Sequence, residues 1–277
     1  MKKATQACPG QSVTGQDSRY ERQLWMKQVG AAGQRRLERA SVLVVGAGGL
    51  GSPILLYLAA AGIGTLGIVD GDTVSLSNLN RQVLYSTQEI GQPKALLAKD
   101  RVLALNPDIR VEAYPARLDP DNAYALFGAY DMVVDATDNY SSRYLVSDAA
   151  VLYNKPLFVG AVSNLYGMAF TVIPHETACF RCLYPKAPTA TMARKERNRG
   201  IIGTNPGIIG SIVAQNVLKY VVGSGDWLAG KLLLVDGEDN RFDLVPLERN
   251  PQCRICGDKP TITELFSMKK DTRQSSC

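Results

Sequence analysis

Two periodicities of apolar residues divide the chain and set its elements. Val42-Leu43-Val44-Val45 is short, unbroken and largely β-branched, the mark of a strand buried on both faces. It runs into Gly46-Ala47-Gly48-Gly49-Leu50-Gly51 and then into an apolar helical pattern over 54–61, with Pro53 early, where a helix tolerates it. Further strands are predicted at 65–69, 109–114, 130–134 and 156–159, with helices at 93–105, 121–127 and 141–153 between them and a polar loop over 71–82. Strands that alternate with helices imply parallel pairing, with helices on both faces of the sheet.

The pattern changes in the second half. A strand is predicted at 166–173, then a long crossover at 183–206 with little periodicity, then an apolar helix at 206–222. Two more strands, 231–235 and 241–245, flank Asp236-Gly237 and read as an antiparallel pair. Ahead of the first strand, residues 19–40 carry helix formers, broken by Gly30 and Gly33, with Arg19 and Arg22 on one helical face. The expected fold is α/β: a Rossmann-like mixed sheet, parallel in the N-terminal half, with antiparallel strands added in the C-terminal half. The expected organisation is a flexible tail at 1–18, a single domain at 19–257, and a polar tail at 258–277.

Composition narrows the function classes. With 277 residues, 45% hydrophobic and 21% charged, the chain reads as a soluble globular protein. No apolar run is long enough to span a membrane, and the N-terminal stretch lacks the apolar core of a signal peptide, so a cytoplasmic location is expected. The net charge of +5 suits a polyphosphate or an acidic protein partner and is too small and dispersed to argue for nucleic acid. The single histidine, His175, is expected to be a surface or packed residue rather than a catalyst, and Trp25 and Trp227 to be core or interface.

Two motifs carry chemistry. Gly46, Gly48 and Gly51 fit the spacing of a dinucleotide-type turn, in which glycines allow close approach to phosphates at a helix N-terminus. Asp70 ends the next strand, where an acid commonly takes a ribose hydroxyl. Cys179-x-x-Cys182 and Cys253-x-x-Cys256 stand 70 residues apart and together make a four-cysteine zinc set, structural because no position is left for substrate. The competing readings are a redox pair or unrelated buried thiols.

Several stretches together resemble the ThiF/MoeB/HesA family, the prokaryotic relatives of ubiquitin-activating enzymes. They are 19–23, the glycine turn, 70–82, Gly91-Gln92-Pro93-Lys94, Asp135-Ala136-Thr137-Asp138-Asn139 and both cysteine pairs, spanning roughly 19–265. The resemblance implies an adenylyltransferase. It would use ATP and Mg2+ to adenylate the C-terminal glycine carboxylate of a ubiquitin-like sulfur-carrier protein and release pyrophosphate. By that resemblance Asp70 holds the ribose, Asn78, Arg81 and Lys94 bind the triphosphate, and Asp138 holds magnesium. Arg22 reaches the phosphates from the other protomer of a homodimer, and Gly46, Gly48, Gly49, Gly51, Asp72, Thr137 and Asn139 complete the nucleotide contacts. Each role has a plain structural competitor: Asp70 as a turn cap, Arg81 and Lys94 as solvated charges, Asp138 as the N-cap of the next helix. A carboxylate nucleophile is already ionised near neutral pH and needs no general base, so one histidine is no obstacle.

Many family members carry a cysteine ahead of the long apolar helix, used or proposed for a covalent link to the carrier. Here 183–207 has none, and the corresponding stretch is the basic 194–199; Cys8 and Cys277 are the only cysteines outside the zinc set. The expected reaction therefore stops at the acyl-adenylate, with a separate sulfur donor. Three alternatives stand beside it: adenylation of another carboxylate (a peptide, a metabolite or a modified tRNA base), a nicotinamide-dependent oxidoreductase, and a non-catalytic scaffold.

Overall fold

A computed structural model describes residues 19–189, 191–192 and 200–265. The 1–18 tail, the 194–199 stretch, Cys8 and Cys277 lie outside the described residues. The strands are β1 (Ser41–Val45), β2 (Thr65–Val69), β3 (Arg110–Tyr114), β4 (Met132–Asp135), β5 (Leu157–Ser163), β6 (Tyr166–Val172), β7 (Lys231–Asp236) and β8 (Arg241–Pro246). They form one eight-stranded sheet in the order β3-β2-β1-β4-β5-β6-β7-β8. β1 to β5 pair in parallel, and β6, β7 and β8 add on antiparallel, as the two periodicities require.

The helices are α1 (Glu21–Leu24), α2 (Gly30–Arg39), α3 (Gly51–Ala61), α4 (Lys94–Leu105), α5 (Pro120–Gly128), α6 (Tyr140–Leu152), α7 (Phe180–Leu183) and α8 (Thr204–Val222). β1 shows why its sequence is continuously apolar. Val42 and Val44 join a core with Leu37 of α2, Ile54 and Leu58 of α3, Ala98 of α4 and Val213 of α8. Leu43 and Val45 face the opposite way, into a core with Phe127 of α5, Val146 of α6 and the cysteines. Alternate side chains of one strand thus bury on opposite faces, leaving no polar position.

The structure corrects several expectations. β5 continues to Ser163 and turns through Asn164 (φ 55°) directly into β6, a hairpin that Gly160 and Ser163 had masked. Gly160 is small because Val213 and Ile209 of α8 press on it; a Cβ there would lie 3.0 Å from one and 3.3 Å from the other. Gly33 does not break the early helix but sits buried within α2, and Arg19 precedes α1, so Arg19 and Arg22 share no helical face. Of the two places expected for Trp25, core or interface, the core is excluded, since it is 61% exposed on this chain. The segment expected to be a tail from 258 stays docked through Ile262 and Leu265, both buried.

Candidate functional site

Strand order reverses between β1 and β4, since β2 and β3 extend to one side and β5 to the other. Connections leaving such a point in opposite directions open a crevice beyond the carboxyl ends of the strands. The glycine turn after β1, the loop after β2 and the 135–139 segment after β4 converge there.

Two glycines of the turn are required by the protein itself. Gly46 has φ +98°, and a Cβ on it would lie 2.7 Å from the Ala136 carbonyl oxygen; one on Gly51 would lie 2.1 Å from the Gly46 oxygen. Gly48 differs. Its φ is ordinary, and a Cβ would meet only the Gln82 amide, 3.4 Å away. The protein has room for a methyl group at Gly48, so a glycine there fits an approaching ligand rather than the fold. The N–H groups of Gly48, Gly49, Leu50 and Gly51 have no acceptor among the described residues. They stand at the start of α3, where unpaired donors and the helix dipole favour an anion.

Asp70 braces this turn from β2. Its Oδ2 accepts the Ala47 N–H and its Oδ1 the Asp72 N–H, both at 2.8 Å. Burial pushes the Asp70 carboxyl above the usual carboxylate range, against the pull of those N–H groups and Lys94. From the other side the buried Tyr85 hydroxyl donates to the Ala47 carbonyl at 2.7 Å. The turn is therefore held rigid through both polar groups of one peptide residue.

The cations arrive on the long loop between β2 and α4. Lys94 begins α4 and is only 5% exposed, yet its nearest ion-pair partner, the Asp72 carboxylate, is 3.7 Å from Nζ. That exceeds hydrogen-bond length, and Asp72 is shared with Arg117 at 3.2 Å. A cationic side chain so largely buried and so weakly paired suits an incoming anion. Arg81 runs past Gly49, its Cγ 3.4 Å from where a Cβ would stand, and donates to the Ser77 carbonyl and Asn80 Oδ1, each at 3.0 Å. The Asn78 carbonyl takes the N–H groups of Arg81 and Gln82, while its half-buried side chain makes no hydrogen bond among the described residues.

On β4's side, Asn139 caps α6, its Oδ1 accepting the Ser142 N–H at 2.9 Å. The capping role open to Asp138 is thus already filled, and among the described residues the exposed Asp138 carboxylate accepts one 3.3 Å bond, from the Asn139 amide. Thr137 turns inward, its hydroxyl and N–H both donating to Asp135 Oδ1 at 2.7 and 2.9 Å. Burial raises the Asp135 carboxyl, with the buried Arg143 guanidinium 3.9 Å away opposing. Arg143 also donates to the Thr137 and Gly160 carbonyls and so ties the ends of β4 and β5 together.

Sequence reasoning missed Asp135, Arg143, Tyr85 and Gln82 as members of this constellation. Asp135 was visible as an acid at a strand end. Buried arginine, tyrosine and glutamine give no such signal, because helical and loop sequences carry the same residues on their surfaces.

Arg22 does not reach the crevice of its own chain. It lies on α1, with its guanidinium stacked 4.6 Å above Trp25. Its neighbour Gln23 hydrogen-bonds the Ala61 carbonyl at the far end of α3, about 16 Å of helix from the glycine turn.

A second centre lies on the opposite face of the sheet. The Sγ atoms of Cys179, Cys182, Cys253 and Cys256 all lie within 4.8 Å of one another, with contacts of 3.9, 3.6 and 3.4 Å. Four thiolates around zinc at about 2.3 Å stand roughly 3.8 Å apart, so the donor set fits a tetrahedral ion. Hydrogen bonds among the thiols push Cys179 and Cys256 above their ordinary range and hold Cys253 below it and Cys182 down to about 6, as expected of four sulfurs sharing protons at close range. Inside the first pair, Arg181 forks onto the buried Asp148 of α6 with bonds of 2.9, 3.0 and 2.8 Å. Burial lifts the Asp148 carboxyl to about 6 despite that guanidinium. His175 is exposed in the turn leading to this centre (φ 66°).

Among the described residues no helix is long and apolar enough to cross a membrane. The sequence profile of the ThiF family matches residues 20–255. The sulfur carrier protein adenylyltransferase of Thermus thermophilus is 50% identical over 253 residues, covering 89% of this chain and 93% of that protein. The SAMP-activating enzyme E1 of Haloferax volcanii is 42% identical, covering 87% of this chain and 88% of its own length. The maize adenylyltransferase and sulfurtransferase MOCS3-1 is 44% identical over 91% of this chain, which spans 54% of that longer protein. A crystal structure of E. coli MccB with ATP superposes with a TM-score of 0.77 at 23% identity, covering 88% of this chain and 75% of that one, and shows the shared fold. The chain belongs to the ThiF family, among its adenylyltransferases.

Proposed function

We propose that the protein uses ATP to adenylate the C-terminal carboxylate of a ubiquitin-like sulfur-carrier protein. The observation that carries this reading is the crevice itself. Unpaired N–H groups at the start of α3, an under-paired buried Lys94 and the Arg81 side chain surround a turn whose Gly48 has room for a methyl group. Such a set suits a polyphosphate. The carrier as substrate is supported by the Thermus relative, whose name states that activity over nearly the same length.

In the reaction a carrier carboxylate oxygen bonds to the α-phosphorus. The bond from that phosphorus to the bridging oxygen breaks, and pyrophosphate leaves with the electron pair. No proton moves, so the demand on the protein is alignment and neutralisation of charge. The α3 donors and Asp70 fix the nucleotide, with Asn78 as a further ligand. Arg81 and Lys94 meet the leaving phosphates. Asp138, exposed and not used as a helix cap, suits a hydrated divalent cation, which supplies further neutralisation when bound. Thr137 and Asn139 act by bracing the Asp138 segment rather than by touching substrate.

Arg22 serves the other protomer of a homodimer in this reading. The stranding of Arg22 at the far end of α3 supports that assignment. So does the neighbouring surface, where Trp25, Met26 and Tyr57 are exposed beside a groove of about 400 Å³ between α3 and α8. With no cysteine in 183–207, the reaction stops at the acyl-adenylate and a separate donor supplies sulfur. The cysteine centre binds structural zinc.

The test is ATP–pyrophosphate exchange with a sulfur carrier ending in glycine. Arg81→Ala and Asp138→Ala are each expected to lower exchange about 100- to 1000-fold, the usual loss on removing one charge-stabilising group. Unchanged exchange in folded variants overturns the reading. Exchange with a small carboxylic acid but with no carrier protein points to the other-carboxylate alternative.

A further inference from the structure

Residues of the loop between β2 and α4 touch three successive positions of the glycine turn. Tyr85 takes the Ala47 carbonyl, Arg81 passes Gly49, and Gln82 lies over Gly48, with its Nε2 3.4 Å from the place of a Cβ. The first two have other protein partners; Gln82 does not. Its side chain is 5% exposed, its Oε1 is fully buried with no hydrogen-bond partner, and its carboxamide makes no hydrogen bond among the described residues. The backbone around it is pinned, its N–H bonded to Asn78 at 3.0 Å and its carbonyl to Tyr85 at 3.2 Å.

The Nε2 end stands over the turn with no protein acceptor among the described residues, while Oε1 is shut in by packing, so the N–H groups are the end open to a ligand. A polyphosphate supplies the missing acceptor: its anionic oxygens take the Nε2 hydrogens on the side facing Gly48, while Oε1 stays packed within the protein.

We infer that Gln82 is a ligand of the nucleotide's phosphate chain, reaching it across Gly48. The assignment rests on the proposed use of ATP and adds to it a contact that charge alone did not reveal. It is specific to the phosphates, because the ribose acid, Asp70, approaches the turn at Ala47 from the β2 side.

The experiment compares calorimetric binding of Mg–ATP and of adenosine to the full chain with thermal unfolding. Gln82→Met keeps length and volume and removes both polar ends. A ligand role predicts ATP affinity lower by about tenfold or more, the worth of a charge-assisted hydrogen bond. Adenosine affinity changes less than about twofold, and the melting temperature holds or rises because the unpaired oxygen is gone. Gln82→Glu, nearly isosteric, sets a negative charge against the phosphates and is expected to weaken ATP further than Met does. Equal ATP affinity in Gln82→Met and the unaltered protein overturns the inference while leaving the adenylation reading intact. A Gln82→Glu variant that binds ATP as the unaltered protein does overturns it equally. Failure of the unaltered protein to bind Mg–ATP overturns both.

Discussion

The parallel and antiparallel halves of the sheet treat their polar groups in opposite ways. Beyond the ends of β1, β2 and β4, polar groups are left short of partners: the α3 N–H groups, the Lys94 ammonium, the Gln82 amide and the Asp138 carboxylate. Around the cysteines, beside β6 to β8, polar groups are matched within the protein. Arg181 forks onto Asp148 and stacks 4.7 Å from Tyr144, the Asn250 N–H donates to Cys182 Sγ, and Arg249 donates to the Cys256 carbonyl. The crevice keeps unmet hydrogen-bonding capacity, whereas the groups named around the cysteines are met within the protein. On physical grounds the first is built to receive a ligand and the second to hold the fold, since unpaired buried groups cost stability and persist where a ligand satisfies them.

The strongest way to break this contrast is to attack the zinc proposed for the cysteine centre. A structural zinc site contributes on the order of 10 kcal/mol to the folding of small domains, and here the four cysteines join the 179–182 segment to the 253–256 segment. Chelation of the protein, checked by metal analysis, is expected to lower the melting temperature by more than about 10 °C. The ATP affinity of the molecules that stay folded should change far less. If chelation removes zinc and leaves melting unaltered, the cysteine centre does not hold the fold.

The second test lies one step inward. Asp148→Ala leaves the Arg181 guanidinium buried without its counter-ion, a change that costs about 3–5 kcal/mol. For a chain of this size that is a fall of roughly 10 °C in melting temperature. Pyrophosphate exchange at a temperature where the variant is folded is expected to fall less than about threefold. A larger loss shows that α6 transmits strain from Asp148 to its other end, where Asn139 and Asp138 stand, and that the two halves are one mechanical unit.

The same contrast explains what could be read from the sequence. The parallel order of β1 to β5 was legible because β1, β2 and β4 are buried on both faces and the strands alternate with helices, and the cysteine centre because metal geometry fixes ligand spacing. The β5–β6 hairpin was not, since Gly160 serves contact with α8 and breaks the strand pattern. The charged members of the site could be named from motifs, but their pairing could not. Whether Asp138 or Asn139 caps α6, or whether Lys94 is solvated or buried, depends on atoms brought together only by the fold. Arg143 and Gln82 lay wholly below detection, because burial is what makes an arginine or a glutamine informative and sequence does not report it.

The smallest expected effect on stability sharpens the contrast most, because it separates two glycines of one turn. Gly51→Ala drives a methyl group to 2.1 Å from the Gly46 carbonyl oxygen, against backbone that cannot yield, so this variant is expected to lose stability and activity together. Gly48→Ala meets only the Gln82 amide at 3.4 Å, ordinary van der Waals contact, and its φ suits alanine. Its stability should stay within about 0.5 kcal/mol of the unaltered protein. The new methyl group nevertheless stands on the surface that a phosphate must approach, beside the N–H donors of α3. ATP affinity is therefore expected to fall about tenfold or more with melting unchanged, as measured by calorimetry and thermal unfolding on the same preparation. A Gly48→Ala protein that binds ATP normally would mean that the phosphates do not pass over this turn, and the unmet donors at its rim would then need another ligand.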